Sequence, residues 1–421
     1  MRASLTLLAG ALAVMVPISP GHAGTPAESV IHIFDNTARG VRPAAGMIMD
    51  AAGDLFGMLY TGETGVNGGV FELTPKADGR GWTERTLHRF GPDRGGKYPT
   101  STVLTMGASG NLYGTTPQGG TNDAGVAFEL IKPAGDGAWQ EKVLYHFNGG
   151  RNGGTPYCGM VFGPGGNLYG TTGFGGAAGA GTVFMLSPDA TKATGWAETV
   201  LYSFTNGADG GYPYSLPVFD AAGNLYGTAE NGGTTANGVV FELSPPSAGG
   251  AWTETVLHSF GTGSDGATPR IALILDQAGN LYGTTNAGGA YNAGVVYELS
   301  PPATGESAWT EVTLHDFDFN PQGGVDGGDP SLSTLVFDKQ GALYGTARVG
   351  GTGKNGIAFQ LTPPAGGGAP WQETILHSFA GAPDGAQPEA GVVMGADGTL
   401  YGTTFGGGNA AGYGTVYKLE P

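Results

Sequence analysis

Asn-Leu-Tyr-Gly-Thr-Thr occurs three times, at residues 111–116, 167–172 and 280–285, and its recurrence sets the reading of the whole chain. Near copies surround Gly57, Gly227, Gly345 and Gly402. With Gly114, Gly170 and Gly283 these make seven motif glycines, spaced by 57, 56, 57, 56, 62 and 57 residues. So regular an interval marks a repeat architecture. Fourteen residues past the motif glycine stands an aromatic in a Val-Phe-Glu-Leu-like run: Phe71, Phe128, Phe184, Phe241, Tyr297 and Phe359, with Tyr417 one residue later in its copy. A Trp-x-Glu-x-x-Leu-His-x-Phe stretch follows, and all six tryptophans lie eight residues before its phenylalanine. A proline nine residues beyond that phenylalanine opens the next unit in six of seven cases, the exception being Phe317 to Pro330. An apolar run such as residues 271–275 and an Asp276-x-x-Gly279-Asn280 turn then lead back to the motif.

Short runs rich in β-branched and aromatic residues, punctuated by Gly, Asn, Asp and Pro, are strands and turns. Four such runs in each of seven units predict an all-β chain, a seven-bladed β-propeller with four antiparallel strands per blade. The chain ends agree. The last unit stops after its third strand, and residues 28–34 read as a fourth strand lacking its first three. The N-terminal strand is therefore expected to complete the last blade and close the ring, which removes open sheet edges. Residues 24–421 form one propeller on this reading, and the chain is expected to act as a monomer.

Glycine (82) and proline (27) make up about a quarter of the 421 residues, a share that by itself suggests disorder. The chain is nevertheless 40% hydrophobic and 10% aromatic with only 13% charged residues, the reverse of a disordered composition. A formal net charge of −17 and no basic stripe exclude nucleic acid as a partner. One cysteine, Cys158, permits neither an intrachain disulfide nor a CxxC metal site and reads as a small core residue. Residues 1–23 read as a cleaved signal peptide: Arg2, an apolar run over residues 5–18, and Gly21 and Ala23 at the −3 and −1 positions. Pro17 and Pro20 cut that run too short for an anchor, and no later segment is long and apolar enough to span a bilayer. The mature protein is thus expected to be secreted, periplasmic or extracellular.

The Leu-Tyr-Gly-Thr-Thr motif, the Gly-Gly loop and the Gly-x-Val-Phe strand resemble the GloVer tandem repeat (the Gloeobacter/Verrucomicrobia-type repeat) over residues 28–421. The resemblance implies an exported, propeller-like bacterial protein.

Two loop sets share one face in such a blade, the loop between strands two and three and the loop into the next blade. The latter holds Asp209, Asp265, Asp326 and Asp384, each four residues before the proline, with Asn152 in the equivalent place. Oxygen ligands of this kind suit calcium. Asp-Gly also makes the turn unaided, and each Asp belongs to a different blade, so the turn reading is preferred. His32, His88, His258, His315 and His377 share one repeated position, filled elsewhere by Tyr145 and Tyr202. Five copies around a ring indicate packing or hydrogen bonding rather than catalysis. The glutamates four residues earlier, Glu28, Glu84, Glu141, Glu198, Glu254, Glu311 and Glu373, read as edge-blunting charges.

Scaffold positions recur, so function is sought where an exposed position varies. The residue after the loop proline, at the mouth of the central channel, runs Ala44, Thr100, Tyr157, Tyr214, Arg270, Ser331, Glu389. Tyr157 and Tyr214 are suited to stack on a sugar ring, and Arg270 and Glu389 to bind its hydroxyls or a carboxylate. Arg348, Phe174 and Phe405 on neighbouring loops are candidates to assist. The preferred function is non-catalytic binding of a glycan or another surface macromolecule. The alternatives are a carbohydrate- or lactone-active lyase or hydrolase and a purely structural assembly module. No cofactor is required by the first.

Overall fold

The computed structural model describes residues 27–421 apart from 36–39, 63–66, 92–94, 101–102, 136, 248, 262, 320–325 and 331–333. The expected signal peptide, residues 1–23, and Ser331 lie outside the described residues. Seven four-stranded antiparallel sheets make a seven-bladed propeller, numbered here as blades 1 to 7 in the order of the motif glycines. No α-helix occurs among the described residues, only a 3-10 turn at Pro164–Gly166, and no helix is long and apolar enough to cross a membrane. Blade 4 is typical: Val218–Phe219 innermost, then Leu225–Ala229, Val239–Ser244 and the outermost Thr253–Ser259. In blade 7 the outermost place is taken by Ala27–Ile33, which pairs antiparallel with Thr415–Glu420 and closes the ring as the sequence predicts.

The motif's residue types now have causes. Leu225 is fully buried, and the Tyr226 hydroxyl donates to Asp220 in the preceding hairpin at 3.1 Å. Gly227 lies directly opposite Phe241, and a Cβ there would come within 2.7 Å of the phenylalanine ring. The first threonine ties neighbouring blades. Thr228 donates to the Ile271 carbonyl of the next blade at 3.3 Å, as Thr171 does to Ser215 at 3.0 Å and Thr284 to Pro330 at 2.9 Å. Thr115, Thr346 and Thr403 make the same link to Cys158, Ala390 and Ala45. The innermost strands are shorter than the apolar runs suggest: of residues 271–275 only Ile274–Leu275 is strand. Near the axis the blade has no further sheet neighbour, and the threonine takes over the free carbonyl.

The core lies in the seams between blades, where seven buried apolar clusters sit. At each seam the outer-strand phenylalanine of one blade meets the third-strand aromatic of the next, edge to face. The ring centroids lie 5.0 Å apart for Phe204–Phe241 and for Phe379–Tyr417, and 5.3 Å apart for Phe317–Phe359. Phe34–Phe71, at 5.2 Å, carries the same contact across the closure of the ring.

Every outer strand also carries a β-bulge. In blade 4 Val240 pairs with His258 but Phe241 pairs with Val256, so Leu257 is the extra residue. Cross-strand partners share a face, and the bulge therefore puts His258 and Glu254 on opposite faces of the sheet. Glu254 reaches back to blade 3, beside Asp209, and His258 reaches forward to Asp265 at 3.3 Å. The glutamates are thus not edge charges, as the sequence suggested, but half-buried members of the seams. In other blades His88 meets Glu141 at 3.2 Å, and Asn152 bridges Tyr145 (2.9 Å) and Glu198 (2.8 Å).

Two outcomes are expected. Gly227→Ala should lower stability in urea denaturation by about 1–3 kcal/mol through overpacking against Phe241. Gly366→Ala, where an added Cβ meets nothing within 4 Å, should stay within about 0.5 kcal/mol of wild type. Burial, with the Asp209 charge beside it, pushes the Glu254 carboxyl up to about 7. The folded state then holds this proton more tightly than the unfolded chain does, so its contribution is greatest in acid and is lost as pH rises from the ordinary carboxylate range through about 7. Glu254→Gln should raise Tm above neutrality and converge with wild type in acid, read by calorimetry across pH.

Candidate functional site

The channel mouth is built by the residue before each loop proline. Arg42, Tyr98, Thr155, Tyr212, Thr268, Asp329 and Gln387 all adopt φ between 53° and 62°, a left-handed conformation unusual for side-chain-bearing residues. Each is held by a crosslink between blades. Tyr212 N–H donates to the Ala180 carbonyl of blade 3 at 2.7 Å, and its own carbonyl accepts from Glu230 N–H at 3.2 Å. The backbone is thereby pinned on both sides, and the side chain that follows the proline is presented to the axis.

Six of those side chains, Ala44, Thr100, Tyr157, Tyr214, Arg270 and Glu389, with Thr334 from blade 6, line one cavity of about 370 Å³ that takes residues from all seven blades. Tyr157 and Tyr214 stand edge to face with centroids 5.1 Å apart. The Arg270 guanidinium lies 5.8 Å from the Tyr214 ring centroid, a cation–π arrangement, and its Nη2 donates to Glu230 Oε1 at 2.6 Å. Burial, reinforced by Glu230, pushes the Tyr214 phenol up to about 12, so it is a neutral donor at physiological pH. Glu389 is raised by burial and by Asp329, against the pull of Arg348. Arg348 itself does not line the cavity; it is held by an ion pair to Asp329.

Phe174 is exposed, with its ring 5.5 Å from that of Tyr212, and Phe405 lies under Arg42 at 5.3 Å and 6.5 Å from Tyr60. Tyr60 also meets Tyr98, the residue before the loop proline Pro99, at 5.7 Å. Glu230, Asp329, Tyr60 and Tyr98 were missed by sequence reasoning. Glu230 and Tyr60 occupy the same variable position as Arg348 and Phe405, directly after the second strand, so the variation that found the latter pair also marked them. Cys158 is buried below the mouth, its sulfur 3.1 Å from the Thr171 hydroxyl, and burial pushes its thiol up.

The loop aspartates lie at the seams rather than on the cavity. Asp209 accepts from Tyr202 at 3.1 Å and from Thr205 N–H at 2.8 Å. Asp384 accepts from His377 (3.0 Å), Ala380 N–H (2.9 Å) and Gly385 N–H (2.6 Å). They make the turn, as the sequence reading prefers. They do not stand apart, however: Asp326 and Asp384 each converge with a histidine of their own side of the seam and a glutamate of the next blade.

Among solved structures, a putative oxidoreductase (glucose dehydrogenase) of Thermus thermophilus is similar over 94% of this chain and 100% of its own, at 14% identity and a TM-score of 0.40. That likeness is too loose to carry an activity across. No curated protein matches the chain. The model of the Gloeobacter/Verrucomicrobia repeat matches residues 18–205 and 191–417, nearly the whole ring, and the chain belongs to that repeat family.

Proposed function

We propose that this is an exported, non-catalytic binding propeller that holds a sugar chain at its channel mouth. The observation that carries the reading is the Tyr157–Tyr214 pair with Arg270 against it, inside a cavity of about 370 Å³. A volume in the lower part of the range for small-ligand sites suits one or two sugar rings. The faces of a pyranose carry C–H groups that pack on aromatic rings, and its hydroxyls match the phenols, Arg270 and Glu389. The Glu230 contact holds Arg270 in place, so little side-chain freedom is lost on binding. Export rests on the signal-like residues 1–23.

A glycan array run with and without calcium identifies the ligand class, and titration calorimetry then weighs the residues. Tyr214→Ala and Arg270→Ala should each weaken binding about tenfold or more, the equivalent of roughly 1.4 kcal/mol. Unchanged affinity in both variants removes the site. Glu389 is the feature that favours the enzymatic alternative, because burial raises its carboxyl above the ordinary range, the direction that suits general-acid work. Cleavage of a bound polysaccharide by the wild-type protein, lost in Glu389→Gln, would establish that alternative; intact polysaccharide recovered after incubation supports binding alone.

A further inference from the structure

We propose that the two seams flanking blade 6 are binding sites for a divalent first-row metal ion such as Zn²⁺, one formed by His315, Asp326 and Glu373 and the other by Glu28, His377 and Asp384. In each group one imidazole nitrogen and two carboxylate oxygens lie within 4.8 Å of one another. His315 Nε2 stands 3.2 Å from Asp326 Oδ2 and 3.8 Å from Glu373 Oε1, and His377 Nε2 stands 3.0 Å from Asp384 Oδ2. A separate observation points the same way. Oε1 of Glu28 is buried and accepts no hydrogen bond; Glu198 and Glu254 carry the same unpartnered oxygen, but among the described residues only the seams flanking blade 6 bring an imidazole and a second carboxylate within reach of it.

The remaining ligands are already oriented. Asp326 is fixed by Asp318 N–H (3.1 Å) and Gly327 N–H (2.6 Å), and Asp384 by Ala380 N–H and Gly385 N–H. The imidazoles are set edge-on against Phe317 (4.6 Å) and Phe379 (4.7 Å). Outer contacts of this sort preorganise metal ligands. One nitrogen and two carboxylates leave further positions to water and suit a borderline ion, whereas calcium seeks six to eight oxygens. Other seams show what a site without metal looks like. Between blades 2 and 3 Tyr145 and Asn152 replace the histidine and the aspartate, and the Asn152 amide donates to Glu198 Oε2 at 2.8 Å. Between blades 3 and 4 tyrosine stands in place of the histidine, and Tyr202 donates to Asp209. Between blades 4 and 5 Glu311 accepts from Thr313 at 3.3 Å.

Glu28 lies on the N-terminal strand, so metal at the second site ties the strand that closes the ring to blade 6. Binding to the folded chain alone then stabilises closure. The test uses tag-free protein, stripped with a chelator and titrated calorimetrically near neutral pH with ZnCl₂, and with CaCl₂ for contrast. Two Zn²⁺ per chain are expected, with a Tm that rises with Zn²⁺ concentration; Glu28→Gln and Glu373→Gln should each leave one ion, and the double variant none. Absence of saturable Zn²⁺ binding, two ions retained by the double variant, or calcium binding as tightly as zinc overturns the proposal. Should the variants fail to fold, anomalous diffraction from Zn²⁺-soaked wild-type crystals decides. Peaks about 2.0–2.2 Å from His315 Nε2 and His377 Nε2 support it, and peaks elsewhere or none overturn it.

Discussion

The edge-to-face contact between an outer-strand phenylalanine and the third-strand aromatic of the next blade is the constraint on which the ring depends. Each such pair contributes about 0.5–1.5 kcal/mol beyond its buried area, and it recurs at every seam from Phe34–Phe71 to Phe379–Tyr417. The third-strand ring lies across the motif glycine, which has to remain glycine because a Cβ would meet the ring, as at Gly114–Phe128 and Gly170–Phe184. Since both faces of every blade are buried in this way, few positions are left for charge. The low charged fraction and the glycine excess are two results of one packing rule.

The same rule separates scaffold from site. Side chains in the seams repeat because each has to fit a neighbour that also repeats. At the mouth the backbone is held by crosslinks on both sides of the pre-proline residue, and the side chains facing the axis carry no packing duty. They are free to differ, and Ala44, Thr100, Tyr157, Tyr214, Arg270 and Glu389 do differ while lining one cavity. Position in the ring, not local sequence, brings them together.

Much of this was legible beforehand. Spacing of the glycines, tryptophans and prolines predicts the blade number, the strand count and the closing role of Ala27–Ile33, and the structure has all three. The mouth residues were legible for a related reason: a repeat makes an irregular position conspicuous. Their ion-pair partners were not. Glu230 and Asp329 come from loops of other blades or other turns, and only folding brings them against Arg270 and Arg348. Of the seam groups, the histidines were read correctly as hydrogen-bonding residues and the glutamates were misread as edge charges. An alternating pattern puts residues four apart on one face, so nothing local shows that Glu254 and His258 part company; the bulge at Leu257 turns them to opposite blades.

Sequence alone determined the number of blades, their strand order and the address of the channel mouth, because these follow from distances along the chain, which a periodic sequence records directly. Only the tertiary structure decided which side chains meet: the Tyr157–Tyr214–Arg270 group at the axis and the histidine–aspartate–glutamate groups in the seams. Those meetings depend on the twist of the strands, the bulges and the closure of the ring, which place atoms from separate blades within a few ångströms, and no local pattern encodes that convergence.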